Sequence, residues 1–327
     1  MSSGAPRRPA GGPVMLLAGV DVGGTNIEVG LVDAEHQVLA RAKRDTPDGG
    51  PDAVIATIVE LIESLDETPV AVGAGIPGVI HDGRALTVPN LENWVDQVDI
   101  GTELEQALGV PVALGNDVNV GLLGEWVAGA AHGFDNVLGV WMGTGIGGGL
   151  ILDGRPFNGS RGAAGEIGHV VVRPGGGLCT CGNRGCVEAY AGRRSMAAIA
   201  TAMVEAGRST SLFEIRDAEG KQRLTSKVWA RALEEADALA EQLFEMAIET
   251  LGIGVASVIN TLDVELVVIG GGLAEKLGQD LADRIERAAA PWMLRPHPDL
   301  SWVPAALGDD SGVVGAAALA RATVLAG

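Results

Sequence analysis

The chain has 327 residues, among them 49 glycines and three cysteines, with 47% hydrophobic residues, 3% aromatics and a net charge of −19. That hydrophobic content excludes a disordered chain, the glycines lack the three-residue period of collagen, and three cysteines are too few for a disulfide scaffold. The acidic balance excludes a surface that attracts nucleic acid or anionic lipid, and so few aromatics offer no stacking platform for single strands.

Residues 1–14 are rich in Gly, Pro and Ser and are expected to form a disordered tail. The apolar stretch behind them ends at Asp21, too early for a signal peptide, and no apolar run reaches the ~18 residues of a membrane span. The cytoplasm is therefore the expected compartment. Residues 15–20 enter Asp21-Val-Gly-Gly-Thr-Asn26, and strands are predicted over 27–32 and 37–46. The glycines thus close a hairpin, unlike the strand-turn-helix of a dinucleotide site. Apolar residues at Val54, Ile55, Ile58, Val59, Leu61, Ile62 and Leu65 predict a helix over 52–65. Residues 70–76 read as a buried strand stopped by Pro77-Gly78, followed by a helix (102–108), a strand (112–114) and a helix (117–131).

A second unit opens as the first did, with an apolar run at 137–142, a glycine turn at 143–149 and a continuation at 150–152. A helix over 193–206 follows, then a polar surface excursion at 207–224 and one or two long helices over 226–260. A strand at 264–269 enters Gly270-Gly271-Gly272, and helices are predicted over 274–290 and 311–325, the last with Ser311 as N-cap. The repeated hairpins near 21 and 143 are the trace of a duplicated unit. Strands alternating with helices predict an α/β architecture, and the length favours two domains.

Four motifs carry chemistry. In Asp21-Val-Gly23-Gly24-Thr25-Asn26 the glycines let backbone amides approach an anion, Thr25 and Asn26 add short donors, and Asp21 suits a hydrated Mg²⁺ that bridges phosphates. Gly143-Thr144-Gly145-Ile-Gly147-Gly148-Gly149 is a second such loop, and two loops flanking one cleft could hold both ends of a polyphosphate chain. In Gly115-Asn116-Asp117-Val-Asn119, Asp117 is either a helix N-cap or a general base, and Asp beside Asn suits a polyhydroxylated ligand. Finally, His169, Cys179, Cys181 and Cys186 supply the three thiolates and one imidazole of a closed structural Zn²⁺ site; three buried free thiols or a redox pair at Cys179/Cys181 are the alternatives. Glu166 and Glu188 bracket this cluster, so a metal-pinned loop would fix both carboxylates.

DVGGTN, GIPG (Gly75–Gly78), PNLENW (Pro89–Trp94), GNDVN, GTGIGGG, EIGH and CTCGNRGCVE stand in the order and spacing of the ROK sugar kinases. From about residue 15 onward the chain resembles that family, its bacterial glucokinases most of all; residues 1–14 and 207–224 lie outside the match. The resemblance implies the duplicated actin-like ATPase/hexokinase fold, ribonuclease H-like, with two α/β domains around a cleft. These would be residues 15–118, completed by the helix 311–325, and residues 119–310, which carry the zinc loop 169–186. It implies phosphorylation of glucose to glucose 6-phosphate with Mg-ATP as donor, a structural Zn²⁺, and a cytoplasmic homodimer without nucleic-acid or membrane partners.

By the same resemblance Asp117 is the catalytic base, and Gly78, Asn90, Asn116, Asp117, Glu166, His169 and Glu188 surround the sugar. Asp21, Gly23, Gly24, Thr25, Asn26, Gly143, Thr144, Gly145, Gly270, Gly271 and Gly272 surround ATP, and His169, Cys179, Cys181 and Cys186 are the metal ligands. Competing readings are a ROK kinase for N-acetylmannosamine, N-acetylglucosamine, mannose or fructose, polyphosphate as donor, and a sugar-sensing ROK regulator. The regulator would need a DNA-binding winged helix, for which residues 1–14 leave no room and the charge no attraction.

Overall fold

The structure, a computed structural model, describes residues 15–88, 91, 93–94 and 97–326. The tail 1–14 and the sugar-site candidate Asn90 fall outside the described residues. β1 (Leu17–Val22), β2 (Asn26–Val32) and β3 (Val38–Asp45) form an antiparallel meander. It is followed by α1 (Pro51–Glu63), β4 (Ala71–Ile76), the hairpin β5 (Val79–His81) and β6 (Arg84–Thr87), α2 (Ile100–Leu108) and β7 (Val112–Asn116). β1, β4 and β7 run parallel, giving the sheet order β3-β2-β1-β4-β7.

α3 (Asp117–Ala128) carries the chain to β8 (Val137–Met142), β9 (Ile146–Leu152) and β10 (Arg155–Pro156). After the cysteine loop come α4 (Glu188–Ala191), α5 (Arg193–Glu205), α6 (Leu212–Ala218), α7 (Ser226–Glu234) and α8 (Ala238–Leu262). The chain ends with β11 (Leu266–Gly270), α9 (Gly272–Leu277), α10 (Gln279–Ala289), β12 (Ser301–Pro304) and α11 (Asp310–Ala326). The second sheet, β10-β9-β8-β11-β12, repeats the first strand for strand: an antiparallel meander, then two parallel strands. The duplication read from the two glycine hairpins is thus visible in the topology.

Several elements differ from the sequence reading. The segment 207–224 is not a surface excursion throughout: Leu212 and Ile215, one helical turn apart on α6, are buried in the core of the second half. The helix predicted over 274–290 is broken at Gly278, whose φ of 57° leaves the helical region. Ser311 is not the N-cap: α11 begins at Asp310, and the Ser311 hydroxyl donates back to the Gly308 carbonyl at 3.0 Å. α8 is long and apolar enough to suit a membrane span, but Leu243, Phe244, Ala247, Leu251 and Val255 are buried in the protein core, which accounts for that character.

The chain passes between the halves twice, outward through α3 and back through α11, and these helices touch along glycines. A Cβ on Gly315 would lie 1.8 Å from the Val120 carbonyl oxygen, and one on Gly124 would lie 2.2 Å from that of Ser311. Beside this crossing sits Glu125, 0% exposed. Its carboxylate accepts from the amides of Ala130 at 2.8 Å, Ala306 at 2.9 Å and Leu307 at 2.9 Å, tying α3 to the segment that leads into α11. Glu125→Ala strands three amides at once. The expected cost is about 3 kcal/mol or more, read as a fall in the denaturant midpoint with an unchanged m-value.

Candidate active site

Strand register places the site. Asp21 pairs with Gly75, Gly75 with Gly115 and Ile76 with Asn116, so Asp21 and the Asn116–Asp117 pair share the carboxyl edge of the first sheet. Open α/β sheets present ligand sites at this edge. Asn116 is the N-cap of α3: its Oδ1 accepts from the amides of Val118 and Asn119, both at 3.0 Å. Its Nδ2 donates to the Gly78 carbonyl and to Asp117 Oδ1, both at 2.9 Å. The whole Asn116 amide is therefore committed to holding Gly78 and Asp117 in place. Asp117, the first helical residue, also accepts from the Val118 amide at 2.9 Å, which leaves its Oδ2 for a ligand.

The turn at Gly78 admits no side chain. Its φ is 104°, and a Cβ would lie 1.9 Å from the Thr87 carbonyl oxygen. Burial, reinforced by the Glu166 carboxylate, pushes Asp117 up to about 6.

Both glycine loops are built alike. In the first, Gly23 N donates to Asn26 O at 2.8 Å, while Thr46 donates from Oγ1 to Gly23 O at 2.6 Å and from N to Thr25 O at 2.9 Å. In the second, Gly143 N donates to Gly145 O at 3.0 Å, Arg193 N to Gly143 O at 3.3 Å and Arg194 N to Thr144 O at 3.0 Å. In a trans peptide the carbonyl and the next N–H point in opposite directions. Pinning the carbonyls of Gly23, Gly143 and Thr144 therefore aims the amides of Gly24, Thr144 and Gly145 the other way. Free amides at such a glycine turn suit an anion.

The first loop, with Asp21, Thr25, Asn26, Glu28 and Lys43, lines a cavity of ≈ 200 Å³. Burial, then repulsion from Asp117 and Glu28, pushes Asp21 up to about 7. Lys43 and Arg41 occupy the Glu28 carboxylate, so the acidic oxygen here that fits Mg²⁺ is that of Asp21, whose burden the ion's charge would offset. Gly271, with φ of 89°, packs on Met142, so Gly270–Gly272 flanks the second loop.

The four metal-ligand candidates converge: their donor atoms all lie within 4.8 Å of one another. Cys181 Sγ and Cys186 Sγ are 3.8 Å apart, and Cys179 Sγ and His169 Nδ1 are 3.6 Å apart. Tetrahedral zinc with bonds of about 2.3 Å to sulfur and about 2.0 Å to nitrogen requires edges of about 3.8 and 3.5 Å, so the cluster fits the ion. His169 turns Nδ1 to the cysteines and Nε2 to Glu166, whose Oε2 is 3.9 Å away. Glu188 Oε2 accepts from the Ile146 amide at 2.9 Å, and its Oε1 accepts from Thr180 Oγ1 at 2.8 Å. Glu188 thus spans the cysteine loop and the end of the second glycine loop.

The sequence profile of the ROK family matches residues 17–323. The chain belongs to the ROK family. It is 32% identical to the glucokinase of Thermotoga maritima over 94% of this chain and 98% of that protein. It is 31% identical to the N-acetyl-D-glucosamine kinase of Pasteurella multocida over 92% of this chain and 98% of that one. A solved ROK glucokinase from Streptomyces griseus, in complex with glucose and AMPPNP, is 33% identical with a TM-score of 0.82, covering 94% of this chain and 99% of that one.

This ROK chain also uses residues that no local motif announces. Thr46, Arg193 and Glu125 act on backbone groups that lie 21 to 182 positions away or on loops that only the fold brings near.

Proposed function

We propose that this ROK protein is an ATP-dependent sugar kinase that phosphorylates glucose at its 6-hydroxyl. The observation that carries the reading is the position of Asp117. Its carboxylate is held by Asn116 and Val118, repelled by Glu166 on the side of the histidine–cysteine cluster and by Asp21 on the side of the first glycine loop. Asp117 accepts the proton of the attacking hydroxyl. Gly78, Glu166, His169 and Glu188, with Asn90, orient the sugar, and Asn116 sets the angle of the base.

The amides of Gly24, Thr144 and Gly145 receive phosphate oxygens, with Gly270–Gly272 on the nucleotide side. In such transfers the protein mainly positions groups and offsets charge. Mg²⁺, held near Asp21, supplies charge neutralisation to the phosphates when bound. Zinc, held by His169, Cys179, Cys181 and Cys186, supplies rigidity. The same reading divides the chain into a domain of 15–118 completed by 311–325 and a domain of 119–310, and makes it a cytoplasmic homodimer.

Glucose is favoured by the glucose-bound Streptomyces griseus relative. An N-acetylhexosamine is the second reading, favoured by the Pasteurella multocida relative of nearly equal identity. A coupled ADP-release assay over glucose, mannose, fructose, N-acetylglucosamine and N-acetylmannosamine, repeated with polyphosphate, separates them. The highest kcat/KM is expected for glucose with ATP. A higher value for an N-acetylhexosamine reassigns the substrate, and no ADP release with any sugar overturns the kinase.

A further inference from the structure

We infer that Arg193, which the family resemblance gives no role, is a positioning residue for the nucleotide phosphates, acting through the loop Gly143–Gly145; the inference rests on the kinase reading above. The two glycine loops have the same frame but different fasteners. The first is held by a neutral threonine, Thr46. The second is held by a cation: Arg193 Nε donates to Gly143 O at 3.1 Å and its Nη2 to Thr144 Oγ1 at 3.4 Å, beside the backbone bond from Arg193 N to Gly143 O. Two of these contacts fix the peptide whose reverse face is the Thr144 amide and the third holds the Thr144 hydroxyl, while the next peptide, which carries the Gly145 amide, is fixed by Arg194 N on Thr144 O.

The charge itself is the second observation. Arg193 is half-buried at the start of α5, and among the described residues no carboxylate pairs with it. Most arginines of this acidic chain that touch a side chain reach an Asp or Glu, as Arg41, Arg44, Arg231 and Arg284 do. Burial depresses the Arg193 guanidinium with no acidic group to offset it. A half-buried cation without a counter-ion carries a desolvation cost that a bound anion would offset. A phosphate on the amides of Thr144 and Gly145 does so, while Glu188 holds the far end of the loop through the Ile146 amide. Arg193 thus gives a −19 chain one local cation behind its second glycine loop.

The test uses the full protein and binding rather than turnover. Affinities for Mg-ATP, ADP and adenosine are measured by calorimetry for wild type, Arg193→Gln and Arg193→Lys. Loss of a charge-assisted clamp is expected to weaken ATP and ADP about tenfold in Arg193→Gln, with adenosine affinity and melting temperature unchanged. Arg193→Lys is expected to recover part of the loss, since it restores charge without the two-point contact. Equal ATP affinity in Arg193→Gln and wild type overturns the inference and leaves the kinase reading standing. An equal loss for adenosine overturns it as well, because the effect then is not on the phosphates. Absence of ATP binding by wild type overturns the kinase reading along with it.

Discussion

Asp117→Asn is expected to lower kcat by about 10²–10⁴-fold, the range for loss of a positioned general base, while the sugar Kd changes less than threefold. The substitution is nearly isosteric. An Asn Oδ1 still accepts from the Val118 amide and from Asn116 Nδ2, so only the ability to take a proton is removed. The pH profile gives a second readout. Asp117 stands at about 6, raised by burial and then by Glu166, and the base form is needed. The wild-type kcat/KM should therefore fall about tenfold per unit below pH 6, a limb that vanishes in the variant.

Stability moves in the opposite direction. A carboxylate whose folded pKa lies above its unfolded value contributes stability that is present at low pH and lost as pH rises through about 6. Above that pH, Asp117→Asn should be more stable than wild type, by on the order of 2 kcal/mol. A variant that keeps near-full kcat, or one that melts lower than wild type at pH 8, contradicts the assignment of Asp117 as a buried base.

The parts of this site differ in how far a linear reading reaches them. The glycine hairpins were legible because a strand's period of two breaks visibly at DVGGTN and GTGIGGG, and the structure repeats the break in both sheets. The cysteine cluster was legible because its ligands are close in sequence. Asn116 was legible as a polar residue beside Asp117; its bond to Gly78 was not, since that partner comes from a turn 38 positions away.

Glu125 shows the limit most clearly. A lone Glu in an apolar helix reads as a surface residue, yet it is 0% exposed because Ala306 and Leu307, over 180 positions later, bring their amides to it. α6 escaped for another reason: only Leu212 and Ile215 are fully buried, with Phe213 partly packed beside them, too few positions to establish a period. Strand β12 has four residues and ends in proline, which hides a parallel edge strand behind the signature of a loop.

Cys186→Ser is expected to reduce bound zinc from one equivalent per chain to less than half, lower the melting temperature by about 10 °C or more, and raise the sugar KM about tenfold or more. The first effect follows from the donor set, since zinc held by three thiolates and one imidazole loses a quarter of its ligands. The second follows from how little orders the loop beyond its ends, where Val170, Val172 and Val187 pack on the core of the second half. Its own buried apolar groups are Cys179, Cys186 and Ala189, packed against Tyr190, while Val171 is 46% exposed and Leu178 65%. Isolated bridges, Val171 with Cys186 and Leu178 with Arg184, replace any extended ladder. A loop with so small a core depends on the ion for its shape.

The third effect follows from what the loop carries. His169 presents Nε2 to Glu166, and Glu188 lies two residues past Cys186 with Thr180 on its Oε1. On the proposed reading, releasing the ion frees these groups together, while Val170 and Val187 still anchor the ends of the loop to the core of the second half. Metal analysis, thermal melting and sugar kinetics of one preparation decide the matter. Full zinc content in Cys186→Ser would remove this residue from the ligand set. Lost zinc with an unchanged sugar KM would show that the ion stabilises the loop without shaping the sugar site.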